Sequence, residues 1–364
     1  MQKGIVLEAV FFLVAVAWLW LLLRTRRALE AVPWELPPPT ARDAWPPVSV
    51  LLPARNEEGR ELDACLRSLA AQEHPEFEVV AVDDCSTDGT LAVLERAAAA
   101  IPRLRVIRGT PPPPGWLGKP WALEQARQAA RFPLLLAADA DVIWKPDALA
   151  RGVHFFETRN LDALTLIPRL RLETFWERAA LPVISWMLVV STPFHKANDP
   201  QHPAALASGA FVLFRRAAHE ALGGYGSVRE KINEDAWTIR LLKRSGARVW
   251  AGDGSALLET RMYRGLREIV AGFGKSIYAA SGNTPGGALR VGLCVVALGL
   301  LPPLALLALN FTLFLRRMRA PVSYAPAAPL GFAVALWTLL RAAWRIETRR
   351  GLEWKGRQII SPGS

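Results

Sequence analysis

Three stretches of the chain are apolar almost without interruption, and a region of about 240 residues between the first and second is not. Residues 5 to 23, "IVLEAVFFLVAVAWLWLLL", are apolar apart from Glu8 and end at "RTRR". Nineteen such residues suffice to cross the hydrocarbon core of a bilayer. The basic cluster follows the apolar run and no small-residue cleavage site is evident, so the pattern predicts an uncleaved anchor over residues 1–27. A second span is expected over 291–315, with Pro302 and Pro303 kinking it. A third is expected from about Ala325 to Trp344, so that 288–345 holds about two membrane segments and 346–364 a tail.

Within the central region the pattern alternates between short buried runs and helix-period stretches. Strands are expected at "VSVLLPA" (48–54), "FEVVAVDD" (77–84), "LRVIRG" (104–109) and "PLLLAAD" (133–139). Helices are expected at 59–72, through "GTLAVLERAAAA", and through "KPWALEQARQAARF". This β-α order predicts a mostly parallel, Rossmann-like sheet with right-handed crossovers. Ligands of such sheets bind at the carboxyl ends of the strands. Three of those ends carry polar punctuation: "PARNEE", "VDDCSTDGT" and "DAD".

The last of these poses the sharpest question, because Asp139 and Asp141 end an apolar strand one residue apart. Like charges so close repel unless a cation lies between them or one side is wet. A solvated loop capping the next helix is the alternative. No G-x-G-x-x-G or Walker A pattern follows the first strand, which weakens dinucleotide and P-loop readings. Carboxylates and one lysine, Lys119, suit a metal-bound diphosphate, and an oxygen donor set suits Mg²⁺ or Mn²⁺.

Charge and cysteine content narrow the setting. The net charge is +11, and eleven Lys and Arg residues flank the spans, where they can meet anionic headgroups. Arg24, Arg26 and Arg27 place the central domain in the cytoplasm by the positive-inside rule, with the tail basics (Arg345, Arg349, Arg350, Lys355, Arg357) on the same side. Arg316, Arg317 and Arg319 then fall outside, against the rule; a re-entrant Pro-Pro segment is the alternative. No basic helix with interleaved stacking aromatics occurs, so nucleic acid is not an expected partner. Cys65, Cys85 and Cys294 are scattered, which predicts a reduced compartment. The five His residues form no compact ligand set.

The motifs "PARNEE", "VDDCSTDGT", "GWLGKPWALEQ", "ADADV" and "INEDAWTIRLLKRSG", in that order, resemble the family 2 glycosyltransferases of GT-A fold. The "PPGWLGKPWAL" loop and "RMYRGLREIVAGFGKSIY" resemble a membrane-bound subgroup containing hopanoid-associated and carotenoid glycosyltransferases. The resemblance implies a GT-A domain over 45–285 that transfers a sugar, with inversion, from a nucleotide-sugar such as a UDP-sugar to a membrane lipid. It implies that Pro53, Arg55 and Glu57 line the nucleotide end, that Asp83 and Asp84 lie near base and ribose, and that Lys119 contacts the nucleotide. Asp139 and Asp141 would hold the metal on the donor phosphates, and Asp235 would be the general base. Glu234 is open between orienting its neighbour and catalysis, Asp84 could be a turn residue, and Asp88 is expected to cap a helix over 88–100.

One departure from the family stands out. Where processive members carry Q/R-x-x-R-W, this chain has "RGLREIVAGFGKS", with Lys275 in the region of the expected Arg-Trp. That argues against a processive polysaccharide synthase. Lys275, Arg264 and Arg267 could aid the leaving phosphate or be a solvated helix face. A nucleotidyl- or phosphosugar-transferase on the same sheet is a further alternative. The segment 172–194 is expected at the membrane interface, with Trp176, Trp186, Leu188 and Val189 gathering the lipid acceptor. Its alternative is a core helix.

Overall fold

In a computed structural model, residues 2–31, 36–39, 45–191, 196–282, 284–296, 304–348, 352–354 and 357–359 are described. The chain divides into two compact units. One is α/β and comprises Val32–Arg171 and Lys196–Met262; the other is helical and comprises Met1–Ala31, Leu172–His195 and Tyr263–Ser364.

The α/β unit is organised by a seven-stranded sheet. Its strands are β1 (Val48–Ala54), β2 (Phe77–Asp83), β3 (Leu104–Arg108), β4 (Leu134–Ala137), β6 (Ala163–Ile167), β8 (Val212–Arg215) and β9 (Val249–Asp253). They are ordered β3-β2-β1-β4-β8-β6-β9. The first four run parallel, β8 lies antiparallel to both β4 and β6, and β9 is parallel to β6. The expected mostly parallel sheet is present, with β8 as its antiparallel wedge.

Alternation along the strands assigns the two faces. Val50 and Leu52 of β1, Val79 and Ala81 of β2, and Leu134 and Leu136 of β4 join one apolar cluster, which also takes residues of α2 (Leu62–Ala70), α3 (Thr90–Ala100) and α5 (Ala148–Thr158). Leu51, Val80, Val82, Leu135 and Ala137 join the other, with Ala122, Leu123 and Ala126 of α4 (Gly118–Ala129) and Ile239 and Leu242 of α8 (Glu234–Arg244). The helices that carry Lys119 and Glu234 therefore pack on the same face.

Helix ends differ from the sequence expectation by local chemistry. α2 begins at Leu62 because residues 58–61 form a turn around Gly59, whose φ is +66°. α4 stops at Ala129, short of Phe132-Pro133, where proline disfavours helix in the residue before it. A second, three-stranded sheet joins β5 (Val142–Trp144), β10 (Leu258–Thr260) and β7 (Arg169–Leu170).

The helical unit contains α1 (Gln2–Ala31), α6 (Phe175–Ser191), α9 (Leu266–Ala280), α10 (Pro285–Val295), α11 (Leu304–Arg317) and α12 (Ala328–Glu347). Of the expected central domain of 45–285, residues 172–195 and the stretch from Tyr263 onward group with these helices. The reason lies in α6. A Thr174/Glu177 capping box starts it, with the Glu177 carboxylate accepting from the Thr174 amide at 3.3 Å and the Glu177 amide donating to Thr174 Oγ1 at 3.3 Å. Its Val183 and Trp186 are buried in a cluster with Trp18, Phe311, Phe314 and Phe332. At Gly331 of α12 an added Cβ would meet the Ala179 carbonyl oxygen at 2.5 Å, so the two helices cross with no room for a side chain.

Among the described residues one helix is long and apolar enough to cross a membrane, Val322–Glu347, of 26 residues. Leu330, Trp337, Leu340 and Trp344 are exposed on it. Pro302 and Pro303, expected to kink the second span, lie outside the described residues.

Candidate active site

The strand register brings the polar strand ends to one edge. Leu51 pairs with Ala137 and Ala54 with Asp83, so Asp139, two residues past Ala137, stands level with Pro53. Because β8 is antiparallel to β4, with Val212 beside Ala137, the residues entering β8 arrive at this same edge. Gly209 is among them. A Cβ there would meet Asp139 Oδ2 at 2.8 Å and Lys119 Nζ at 2.9 Å.

Lys119 is the hub. From the first turn of α4 its ammonium lies 2.7 Å from Asp139 Oδ1 and 2.8 Å from Glu234 Oε1. Desolvation opposes that charge, but Asp139, Glu234 and Asp235 outweigh it and hold the lysine pKa well above its usual value. Glu234 and Asp235 occupy the first turn of α8, where the helix dipole favours carboxylates. Glu234 is buried, and burial with repulsion from Asp235 and Asp139 raises its pKa against the pull of Lys119. Asp235 Oδ1 accepts from the Ala236 amide at 2.7 Å. Lys119, Asp139, Glu234 and Asp235 all line one cavity.

Asp141 lies beside this group. Burial, then repulsion from Asp139, pushes its pKa up to about 6, while Lys119 and Arg60 pull the other way. Such a carboxylate is held at a cost that a cation would remove. Among the described residues no group of three or more His, Cys, Asp and Glu is placed to hold a metal. The two aspartates nevertheless fit the mode in which Mg²⁺ or Mn²⁺ takes one or two carboxylates and completes its shell with water and substrate phosphates.

The remaining predicted residues lie in two interlaced loops beyond β1 and β2. Arg55 donates to the Asp84 carbonyl and, at 3.0 Å, to that of Cys85. The Asn56 amide donates to Ser86 Oγ at 3.1 Å, and Glu57 donates its amide to Thr90 Oγ1 at 2.7 Å while its carboxylate pairs with Arg60 at 3.1 Å. α3 begins at Thr90 with Gly89 as its N-cap, so Asp88 is not the cap expected of it; its Oδ1 accepts from the Thr90 amide at 3.0 Å from one residue further out. Asp83 and Asp84 are buried, and Asp83 Oδ1 has no hydrogen-bond partner among the described residues.

Three predicted residues belong to the helical unit. Arg264 donates its amide to Glu268 at 3.0 Å. Lys275 is on α9, its side chain outside the described residues. Trp186, expected to dip into headgroups, is instead 2 % exposed, stacked on Trp18 at 5.8 Å and donating to Thr25 Oγ1 at 3.0 Å. The core-helix alternative describes that face of α6, and Leu188 and Phe175 are its exposed apolar residues. Conversely, Gly209, Tyr225, Thr238 and Arg60 were not singled out from sequence. The first three line the cavity, and Arg60 acts on Asp141.

Residues 49–223 match the family described as Glycosyl transferase family 2. That stretch, just under half of the chain, is similar to a family 2 glycosyltransferase domain. The domain is similar to the beta-monoglucosyldiacylglycerol synthase of Synechocystis sp., at 31 % identity over 164 residues, 43 % of this chain and 34 % of that protein. It is also similar to the putative teichuronic acid biosynthesis glycosyltransferase TuaG of Bacillus subtilis, at 32 % identity over 117 residues, 32 % of this chain and 44 % of that protein. The chain thus spans less than half the length of either relative. Among solved structures, the mannosyltransferase PcManGT of Pyrobaculum calidifontis, in complex with GDP-Man and Mn²⁺, shares its fold. The TM-score is 0.54 at 24 % identity, covering 93 % of this chain and 98 % of that one. The α/β unit is accordingly GT-A-like, with its polar cluster at the strand ends where such sheets bind ligands.

Proposed function

We propose that the protein is an inverting glycosyltransferase that moves a sugar from a nucleoside-diphosphate sugar to a hydroxyl of a membrane lipid. The observation that carries this reading is the Lys119 ammonium bridging Asp139 and Glu234, with Asp235 beside them at the helix start. It divides the carboxylates into two groups with different work. Asp139 and Asp141 face the donor diphosphate, and a divalent metal held there, Mg²⁺ or Mn²⁺, would supply charge neutralisation for the leaving group. Lys119 adds a fixed positive charge next to the same phosphates. Asp235 takes the proton of the acceptor hydroxyl as that oxygen attacks the anomeric carbon, and Glu234, tied to Lys119, orients it. One base suffices for inversion, since the attacking oxygen and the departing diphosphate lie on opposite faces of the sugar. Asp83, Asp84, Arg55, Glu57 and Pro53 lie at the adjoining strand ends and serve the nucleoside.

The acceptor class rests on the helical unit and on the relatives. A 26-residue apolar helix with exposed Trp337 and Trp344 and basic Arg341 and Arg345 suits a bilayer and its headgroup level. Likeness to a glucosyldiacylglycerol synthase supports a lipid hydroxyl. We therefore read the protein as membrane-integral, with three spans and the α/β unit in the cytoplasm. The test is lipid extraction from a host with and without the protein, alongside transfer of labelled sugar from UDP- and GDP-sugars in membranes. A new glycolipid with release of nucleoside diphosphate is expected. Release of pyrophosphate, or an elongating water-soluble polymer, would overturn the reading.

A further inference from the structure

The cavity under the carboxylates contains two hydroxyls that the transfer chemistry above does not use. Tyr225 is 2 % exposed and Thr238 is 3 % exposed, and both line the cavity together with Lys119, Glu234 and Asp235. Neither Tyr225 Oη nor Thr238 Oγ1 has a hydrogen-bond partner among the described residues. Leaving a buried hydroxyl unpaired is unfavourable, and here two share one space.

The rest of the surroundings is otherwise satisfied or apolar. The Tyr225 ring packs edge-on against His219 at 4.6 Å and Phe214 at 6.4 Å, which fixes its direction, and its amide donates to Glu124 at 3.3 Å. Thr238 sits one turn after Glu234 on α8, so both side chains lie on one helix face. Leu123, Ala137, Val212 and Phe214 supply apolar walls, Asp139 and Gly209 line the cavity too, and it is partly open. About 10 Å³ of the cavity is open to the centre of a water molecule, about what one water needs. A water needs two to four polar partners to reside in such a space, and two hydroxyls with a neighbouring carboxylate provide them.

We propose that Tyr225 and Thr238 hold one resident water molecule in this cavity, and that this water hydrogen-bonds the Glu234 carboxylate from below while Lys119 holds it from the side. Tyr225 and Thr238 are then positioning residues. They act through the water on Glu234, and through Glu234 on the orientation of Asp235. The electrostatics agree, since after burial Glu234 is the charge with the largest effect on the Tyr225 phenol, and both raise its pKa. The catalytic half of this inference rests on the transferase reading; the water itself does not.

The experiment separates the two. A high-resolution crystal structure of the full chain should show one ordered water within about 2.6–3.2 Å of Tyr225 Oη, Thr238 Oγ1 and a Glu234 oxygen. Thr238→Val should expel it, and Thr238→Ser should keep it. An empty cavity, or a side-chain partner for both hydroxyls, overturns the water whatever the protein catalyses. In turnover assays, Thr238→Val and Tyr225→Phe should lower kcat about 10- to 100-fold with donor KM changed less than about twofold, and Thr238→Ser should restore kcat. Melting temperatures of all three variants show that each is folded. A water present in the wild type and absent from a Thr238→Val enzyme of undiminished kcat overturns the positioning role. A wild-type protein without transferase activity fails the functional reading, and the crystallographic outcome then decides the water alone.

Discussion

The two edges of the central sheet both bury carboxylates, and they treat them in opposite ways. At the amino edge Glu78, second residue of β2, accepts from Ser49 Oγ at 2.7 Å, the Arg131 amide at 2.7 Å and Arg131 Nε at 3.0 Å. Burial works against its charge, but these hydrogen bonds hold its pKa below the usual value. At the carboxyl edge Asp139, Asp141, Glu234 and Asp235 crowd around one lysine, and Asp141 and Glu234 have pKa values raised above the usual range. The first arrangement is complete in itself. The second has more negative charge than its own partners balance, which is the condition of a site awaiting cationic or phosphate-bound company.

The largest expected effect breaks the carboxyl edge at its base. Asp235→Asn keeps the shape of the side chain and removes its ability to take a proton, so kcat should fall by at least ~10² with donor binding little changed. Loss of donor binding with normal turnover per bound donor would reassign Asp235 to the donor. Removing metal with excess EDTA should likewise stop transfer, and full activity in EDTA would remove Asp139 and Asp141 from a metal role.

Asp141 sharpens the contrast through stability. Its carboxyl titrates near 6 in the fold against 3.8 in an unconstrained chain, so the folded state takes up its proton more readily. Stability from this group is therefore greatest below about pH 4 and falls as pH rises through 6. In metal-free protein at pH 7.5, Asp141→Asn should raise stability by about 1–3 kcal/mol while abolishing transfer. Chemical denaturation in EDTA measures it, and a destabilised variant would mean that the charge is already compensated.

How much of this edge could be read in the sequence depended on whether a residue's role was local. Strands β1 to β4 announce themselves by contiguous apolar runs, and Asp139, Asp141, Lys119 and Asp235 by polar types at run ends. Gly209 carries no such mark. Its importance arises only when an antiparallel strand from 70 residues further on inserts next to β4, a pairing that no period predicts. Tyr225 and Thr238 read as ordinary core and helix residues until the cavity places them together. The segment around Trp186 failed for a different reason. Lipid-facing and helix-facing residues share a composition, and only the Trp18 ring stacked on Trp186 and the Phe332 ring edge-on against it distinguish them.

Gly209 supplies the next test. Alanine there brings a methyl to within 2.8 Å of Asp139 Oδ2 and 2.9 Å of Lys119 Nζ, and the flexible lysine end must give way. Gly209→Ala should therefore weaken the Lys119 bridge and lower kcat/KM about tenfold, a loss of ~1.4 kcal/mol, with the melting temperature nearly unchanged. Equal losses of stability and activity would show that the glycine serves the fold rather than the site.

The smallest effect is expected at the amino edge, where the network is complete and distant from the chemistry. Ser49→Ala removes the hydroxyl that donates to Glu78 and accepts from the Phe132 amide at 3.1 Å. Glu78 keeps its Arg131 contacts, so the cost should be about 1 kcal/mol of stability, with kcat per folded enzyme unchanged. The pH dependence gives the sign. Because the folded-state pKa of Glu78 lies below 4.5, its contribution is present above that value and is lost as pH falls through the folded pKa. Weakening the network raises that folded pKa toward 4.5, so Ser49→Ala should begin to unfold at a higher pH than the wild type during acid titration. Circular dichroism followed from pH 7 to pH 3 measures this shift. An unchanged acid midpoint together with lost activity would reverse the assignment of the two edges, making the amino edge part of the working site and the Glu78 network more than a support for the sheet.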